Sequence, residues 1–146
     1  MLIFRKVTEN DVSSIAILEK YVFSDSWTER SIYETHCQNQ AFIVVAECEG
    51  EVVGYCIAYY VLDEGEIARI AVNEKVRRQG VGQGLLDFVC GWCKEKQIAR
   101  LLLDVRESNV DARAFYQQYG FVEDGIRKNF YELPKENAVL MSKILV

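Results

Sequence analysis

Proline occurs once in this 146-residue chain and histidine once. With only Pro134 available, glycines and polar clusters must punctuate the sequence. His36 lies in the polar stretch Glu34-Thr35-His36-Cys37-Gln38, so a histidine base would have to be this residue. Its simpler reading is a solvated helix end. Basic residues are not in excess: 17 Lys and Arg face 22 Asp and Glu, a formal net charge of −5. That argues against a nucleic-acid binder and suits a cationic partner, such as an amine or a basic peptide. No apolar run approaches the roughly 20 residues needed to cross a bilayer, so no membrane partner is expected. Met1 to Lys6 lacks the apolar core of a secretory leader, and a cytoplasmic location is expected. Linkers, repeats and low-complexity runs are absent. Half of the residues are apolar and 27% are charged, so a single folded domain is expected over residues 1–146.

The five cysteines, at positions 37, 48, 56, 90 and 93, are odd in number and irregular in spacing. They read as reduced thiols. Cys90-Gly91-Trp92-Cys93 matches C-x-x-C but falls well inside a helical pattern, whereas a redox pair belongs at a helix start. A zinc site would need two further ligands that the spacing does not offer, so no metal is expected.

Periodicity predicts a strand over Leu2–Val7 and then a helix bearing Val12, Ile15, Ala16 and Leu18, opened by Thr8 and Asp11 as a capping box. A weaker helix is expected over Ser26–Gln38. Strands over Ala41–Cys48 and Glu51–Val61 form a hairpin around Glu49-Gly50. Glu66–Val72 is a fourth strand and Gly82–Gln97 an amphipathic helix. A strand over Arg100–Val105, a helix over Asn109–Tyr119 and two closing strands, near Gly120–Asp124 or beyond and near Ala138–Leu145, complete the chain. The order β-α-α-β-β-β-α-β-α-β-β gives about seven strands and four helices. It predicts an α/β fold whose mixed, twisted sheet carries helices on both faces.

Ile70 to Leu86 is the most informative stretch. A strand runs into a basic turn, Arg77-Arg78-Gln79, and then Gly80-Val81-Gly82-Gln83-Gly84 opens a helix. Glycines let a ligand approach the backbone, a helix start leaves N–H groups unpaired, and its dipole adds positive character. Together these favour a phosphate group, and Arg77 and Arg78 add full charges. The alternative is a glycine-rich helix start that holds nothing. A Walker A loop would need a lysine that is missing, and a dinucleotide loop would need glycine where Leu85 stands.

Arg77-x-x-Gly80-x-Gly82 resembles the acetyl-CoA signature of the GCN5-related N-acetyltransferases. The likeness extends to Ile70-Ala71-Val72, to Leu103-Asp104-Val105-Arg106-Glu107-Ser108-Asn109 and to Ala114-Phe115-Tyr116-x-x-x-Gly120-Phe121. Val61 to Glu64, Ser26-Trp27, Asn129-Phe130-Tyr131 and Glu136-Asn137-Ala138 are similar to the RimI branch, the ribosomal-protein-alanine acetyltransferases. The resemblance covers nearly the whole chain and implies a GNAT fold. It implies direct transfer of acetyl from acetyl-CoA, as co-substrate, to the N-terminal alanine of a small-subunit ribosomal protein. It further implies that the backbone of Ile70, Ala71 and Val72 binds the pantetheine arm near the thioester. Arg77 supplies charge, and Arg78, Gln79, Gly80, Val81, Gly82 and Gln83 hold the pyrophosphate through main-chain N–H groups. Asn109 reaches the pantetheine, and Tyr116 is the general acid for the sulfur, against a reading as core aromatic packing.

The base departs from the RimI pattern, which has glutamate where this chain has Asp104, shorter by one methylene or about 1.5 Å. Glu66, on the preceding strand, is the second candidate for the base, against a reading as a rim carboxylate. Trp27 and Tyr131 would wall a peptide groove by resemblance, and Trp27 reads equally as a packing residue. The rivals are a small-amine acetyltransferase of the same fold, a non-catalytic acyl-CoA-binding module and a nucleotide-binding oxidoreductase. A monomer or weak dimer is expected.

Overall fold

The computed structural model describes residues 1–145; Val146, the last residue of the expected domain, lies outside the described residues. Seven strands and four helices follow in the predicted order: β1 (Leu2–Lys6), α1 (Val12–Val22), α2 (Glu29–His36), β2 (Ala41–Cys48), β3 (Glu51–Val61), β4 (Glu64–Val72), α3 (Val81–Glu95), β5 (Arg100–Arg106), α4 (Val110–Tyr119), β6 (Val122–Glu132) and β7 (Lys135–Ile144). The strands form one sheet in the order β1-β2-β3-β4-β5-β7-β6. β4 and β5 pair in parallel and every other neighbour pairs antiparallel.

β2 is apolar at nearly every position because both of its faces are covered. Phe42, Val44 and Ala46 point into a core shared with α3, whereas Ile43 and Val45 point into a core shared with α1 and α2. α3 buries Val81, Leu85, Leu86, Val89, Trp92 and Cys93 on its sheet-facing side. Cys90 and Cys93 sit well inside α3 as free buried thiols, and burial pushes both upward, Cys93 to about 12, so neither has the thiolate character of a redox pair. The Thr8–Asp11 pair does close the chain entry into α1: the Thr8 N–H donates to the Asp11 carboxylate at 2.7 Å.

Several boundaries differ from the sequence reading. α2 starts at Glu29 because Thr28 caps it, accepting from the Ser31 N–H at 3.1 Å, which leaves Ser26 and Trp27 in an irregular connection. β4 starts two residues early, after a tight turn in which Leu62 adopts φ 58°. β6 runs to Glu132 and β7 begins at Lys135. β6 is an edge strand exposed along almost its whole length, so it shows no apolar alternation by which a strand is recognised.

Between β4 and β5 the ladder is incomplete. Pairing runs only from Glu64↔Arg100 to Ile67↔Leu103. Beyond that point β4 continues to Val72 and β5 to Arg106, each hydrogen-bonded only on its outer side. The separation begins where the β3–β4 register shifts: Ala58 faces Ile67 and Ile57 faces Arg69, so Ala68 is an extra, bulged residue. A bulge bends and further twists its strand, which carries β4 away from β5. The gap opens at the carboxyl ends of two parallel strands, where open α/β sheets bind their ligands.

Candidate active site

The turn between β4 and α3 faces this gap. Arg78 and Gly80 both adopt left-handed backbone, at φ 68° and 81°. The first helical bond of α3 runs from the Gly84 N–H to the Gly80 carbonyl. The six consecutive N–H groups from Arg78 to Gln83 make no hydrogen bond among the described residues. This is a row of donors at a helix start, suited to phosphate oxygens. The Arg77 side chain folds back onto the Val72 carbonyl, with Nε 3.3 Å from it. The Val81 side chain is buried, so only its N–H can face a ligand. The glycines divide by role. At Gly80 a Cβ would meet nothing, and the positive φ is the requirement. At Gly84 a Cβ would lie 2.1 Å from the Phe4 ring, so this glycine serves packing of α3 against β1. At Gly82 a Cβ would approach Phe115 at 3.0 Å. Asn109 caps α4 through its carbonyl oxygen, 3.2 Å from the Ala112 N–H, which leaves its NH₂ for other contacts.

Glu66 and Asp104 lie on one face of the sheet, that of α1 and α2. Glu66 is the cross-strand neighbour of Leu102, and Asp104 lies two residues further along β5, on the same face as Leu102. Asp104 is half-buried, and burial and then the Glu66 charge hold its carboxyl above the usual aspartate range. Glu66 accepts from the Tyr59 hydroxyl at 2.5 Å. Tyr116 lies on the opposite face, in the core shared with α3 and α4. Its ring packs edge-on to Phe121, with centroids 5.7 Å apart. Its hydroxyl makes no hydrogen bond, yet the only sealed side-chain polar atom without a partner among the described residues is Arg69 Nε. The Tyr116 oxygen therefore reaches solvent-accessible space. Burial raises its pKa, so it stays protonated. The two carboxylates and the phenol thus stand on opposite faces of the strands that part.

The walls above the carboxylates come from distant segments. Tyr131 on β6 lies under the Arg106 guanidinium, 4.2 Å from ring centroid to Cζ. Arg106 also donates to the carbonyls of Leu133 and Pro134 at 2.9 and 2.8 Å, which fixes the β6–β7 hairpin. Ser24, between α1 and α2, donates to the Leu133 carbonyl and joins the two walls. Burial and the Asp104 charge push the Tyr131 phenol up to about 12. Trp27 packs on the core beneath α1 and α2, and its backbone N–H donates to the Glu19 carboxylate at 2.7 Å. His36 ends α2, edge-on to Tyr33, and takes no part in this constellation.

Sequence reasoning missed the network beneath these walls. Glu19 is fully buried and accepts from the Tyr55 hydroxyl, the Trp27 N–H and Arg69 Nη2, the last at 3.2 Å. Arg69 Nη2 also donates to the Asp25 carbonyl at 2.7 Å, and its guanidinium lies 3.9 Å from the Phe23 ring centroid. One signal was available: Glu19 stands one turn after Ile15, on the apolar stripe of α1, where a lone charge needs a partner. Among the described residues no cluster of three or more His, Cys, Asp or Glu side chains is placed to hold a metal. No helix among them is long and apolar enough to cross a membrane.

The sequence profile described as "Acetyltransferase (GNAT) family" matches residues 10–121. The ribosomal protein bS18-alanine N-acetyltransferase of Escherichia coli (strain K12) is 29% identical over 134 residues, 90% of each chain. A Bacillus subtilis (strain 168) protein to which the same activity is ascribed provisionally is 35% identical over 138 residues, 94% of this chain and 91% of the relative. Among solved structures, the ribosomal-protein-S18-alanine N-acetyltransferase from Escherichia coli superposes with a TM-score of 0.90 at 27% identity, covering 99% of this chain and 94% of that one.

Proposed function

The chain belongs to the acetyltransferase (GNAT) family, and from that premise we propose that its acceptor is the N-terminal alanine amine of a small-subunit ribosomal protein. The family draws its acetyl group from acetyl-CoA. The observation that carries the reading is the pairing of Asp104 and Glu66 at the mouth of the β4–β5 gap, under walls that can flank a peptide. An N-terminal amine arrives largely as ammonium and must lose a proton before it attacks. Asp104 is the first candidate to take that proton, directly or through one water, with Glu66 as its neighbour. A carboxylate whose pKa is raised by burial is a better base than a solvated one.

The free amine then attacks the thioester carbonyl, and the backbone N–H groups of Ile70 and Val72, which face the gap while that of Ala71 faces β3, stabilise the oxygen as charge builds on it. The C–S bond breaks, the nitrogen gives up its remaining extra proton, and Tyr116 donates to the departing sulfur. The N–H row from Arg78 to Gln83 holds the pyrophosphate, with Arg77 and Arg78 beside it, and the Asn109 amide supports the pantetheine arm. Trp27 and Tyr131 flank the peptide. The decisive test is the intact mass of ribosomal proteins from cells lacking this gene. Loss of one acetyl group from one small-subunit protein is the expected result, and an unchanged mass for every such protein would reject the acceptor.

A further inference from the structure

Arg69 is only 11% exposed, and all of its protein hydrogen bonds leave from one nitrogen. Nη2 serves Glu19 and both the carbonyl and carboxylate of Asp25. Nε is sealed from solvent without a partner, and Nη1 makes no bond to the protein. An arginine buried only to join two segments would be expected to commit its whole fork of five donors. The bulge at Ala68 decides where the remainder points. In a regular strand Glu66 and Ala68 would share a face. With Ala68 extra, Arg69 takes the phase of Ile57 and joins Glu66 and Asp104 on the α1–α2 face. Asp104, Arg106, Asp25 and Arg69 all lie close enough to the Tyr131 phenol for their charges to act on it. The α1–α2 face beside that phenol carries acceptors for an amine at Asp104 and Glu66, and a donor at Arg69 Nη1.

We propose that Arg69 is a specificity-determining residue whose Nη1 group, without a protein partner and not sealed from solvent, donates to the carbonyl oxygen adjacent to the reacting amine. The enzyme then selects α-aminoacyl acceptors over simple alkylamines. The inference rests on the reading that the acceptor amine sits at Asp104 and Glu66. Neighbouring residues on one face of a strand are roughly 7 Å apart. Side chains reaching inward from Glu66 and Arg69 can therefore address the amine and carbonyl of one residue. The nearly complete burial strengthens the bond, because few waters compete for it.

The test compares alaninamide and an Ala-starting peptide with isopropylamine, which keeps the amine and methyl group and lacks the carbonyl. The wild-type enzyme is expected to prefer the first two. Arg69→Gln is expected to raise KM for both carbonyl-bearing acceptors by about tenfold or more, the loss of one charge-assisted hydrogen bond, while kcat/KM for isopropylamine changes less than about twofold. Arg69→Lys retains the positive charge beside Glu19 and Asp25 and guards against misfolding; it is expected to show the same acceptor-selective loss. Equal loss for all three acceptors in both variants, or a wild type with no preference for alaninamide over isopropylamine, would overturn the proposal. Failure of the ribosomal reading would look different: the small-acceptor preference and its dependence on Arg69 would persist while ribosomal proteins stayed unmodified.

Discussion

The two faces of the sheet offer different kinds of groups to the gap between β4 and β5. On the α3–α4 side the groups that can face the gap are a row of main-chain N–H groups, the Tyr116 hydroxyl and the Asn109 amide, with Arg77 and Arg78 at the turn. On the α1–α2 side the polar groups are side chains, Glu66, Asp104, Arg69 and Tyr131, with Arg69 held by a buried carboxylate. Backbone donors suit a partner that never changes, such as the phosphates of a common co-substrate. Side chains suit a partner whose identity must be chosen. The difference also distributes fragility. The first face is held by packing and the second by charges taken out of water, which depend on every partner being present.

That contrast is broken most severely at Glu19. Glu19→Ala leaves Arg69 and the Tyr55 hydroxyl buried without it, and a loss of about 3–5 kcal/mol is expected. At roughly 2–4 °C per kcal/mol, the melting temperature should fall by about 10 °C or more in a thermal scan. A fall of only a degree or two would mean the network is solvated and the two faces are alike. Tyr116→Phe comes next, keeping the ring and its contacts. Turnover should drop about 10²-fold, near 2.7 kcal/mol of barrier, with little change in melting temperature. Near-normal turnover would return this residue to the core.

The glycines sharpen the comparison within one loop. Gly84→Ala drives a methyl group into Phe4 and should cost about 1–3 kcal/mol of stability without raising the KM for acetyl-CoA. Gly80→Ala meets no atom but strains a left-handed residue by about 1–2 kcal/mol, and should raise that KM while the peptide KM stays put. Steady-state kinetics on both substrates separates the two outcomes. Gly82→Val is a poorer probe, because its side chain would also meet Phe115.

The smallest effect is a shift in pH dependence. Glu66 raises the Asp104 carboxyl, second only to burial. A base works deprotonated, so activity rises as pH climbs through its pKa. Glu66→Gln should lower that pKa and move the acidic limb of kcat/KM to lower pH, by less than about one unit. Asp104→Glu should keep a limb and most of the activity. If Glu66→Gln abolished the limb, Glu66 would be the base instead.

Element order, the mixed sheet and the donor loop were legible because each has a local signature: apolar period, glycine at a helix start, a motif within eight residues. The acceptor side was legible only in part. Asp104, Glu66, Trp27 and Tyr131 emerged as candidates, whereas Arg69, Arg106 and Tyr55 did not. Their meaning depends on partners 30 or more residues away, Arg69 with Glu19 and Arg106 with Glu136 among them. The far end of β6 was left open, because an exposed edge strand has no apolar side to betray it.

The extra residue at Ala68 gives β4 two parities. Before it, even-numbered residues look toward α1 and α2; after it, odd-numbered ones do. A single insertion thus acts as a phase switch, and two functional codes are written along one nine-residue strand. Deleting Ala68 would remove no functional group. It would join Ile67 directly to Arg69, leave Arg69 facing α1 and α2 and Ile70 facing α3, and remove only the bend that carries β4 away from β5. An alignment that treats β4 as a uniform strand will therefore assign every residue beyond the bulge to the wrong side of the sheet.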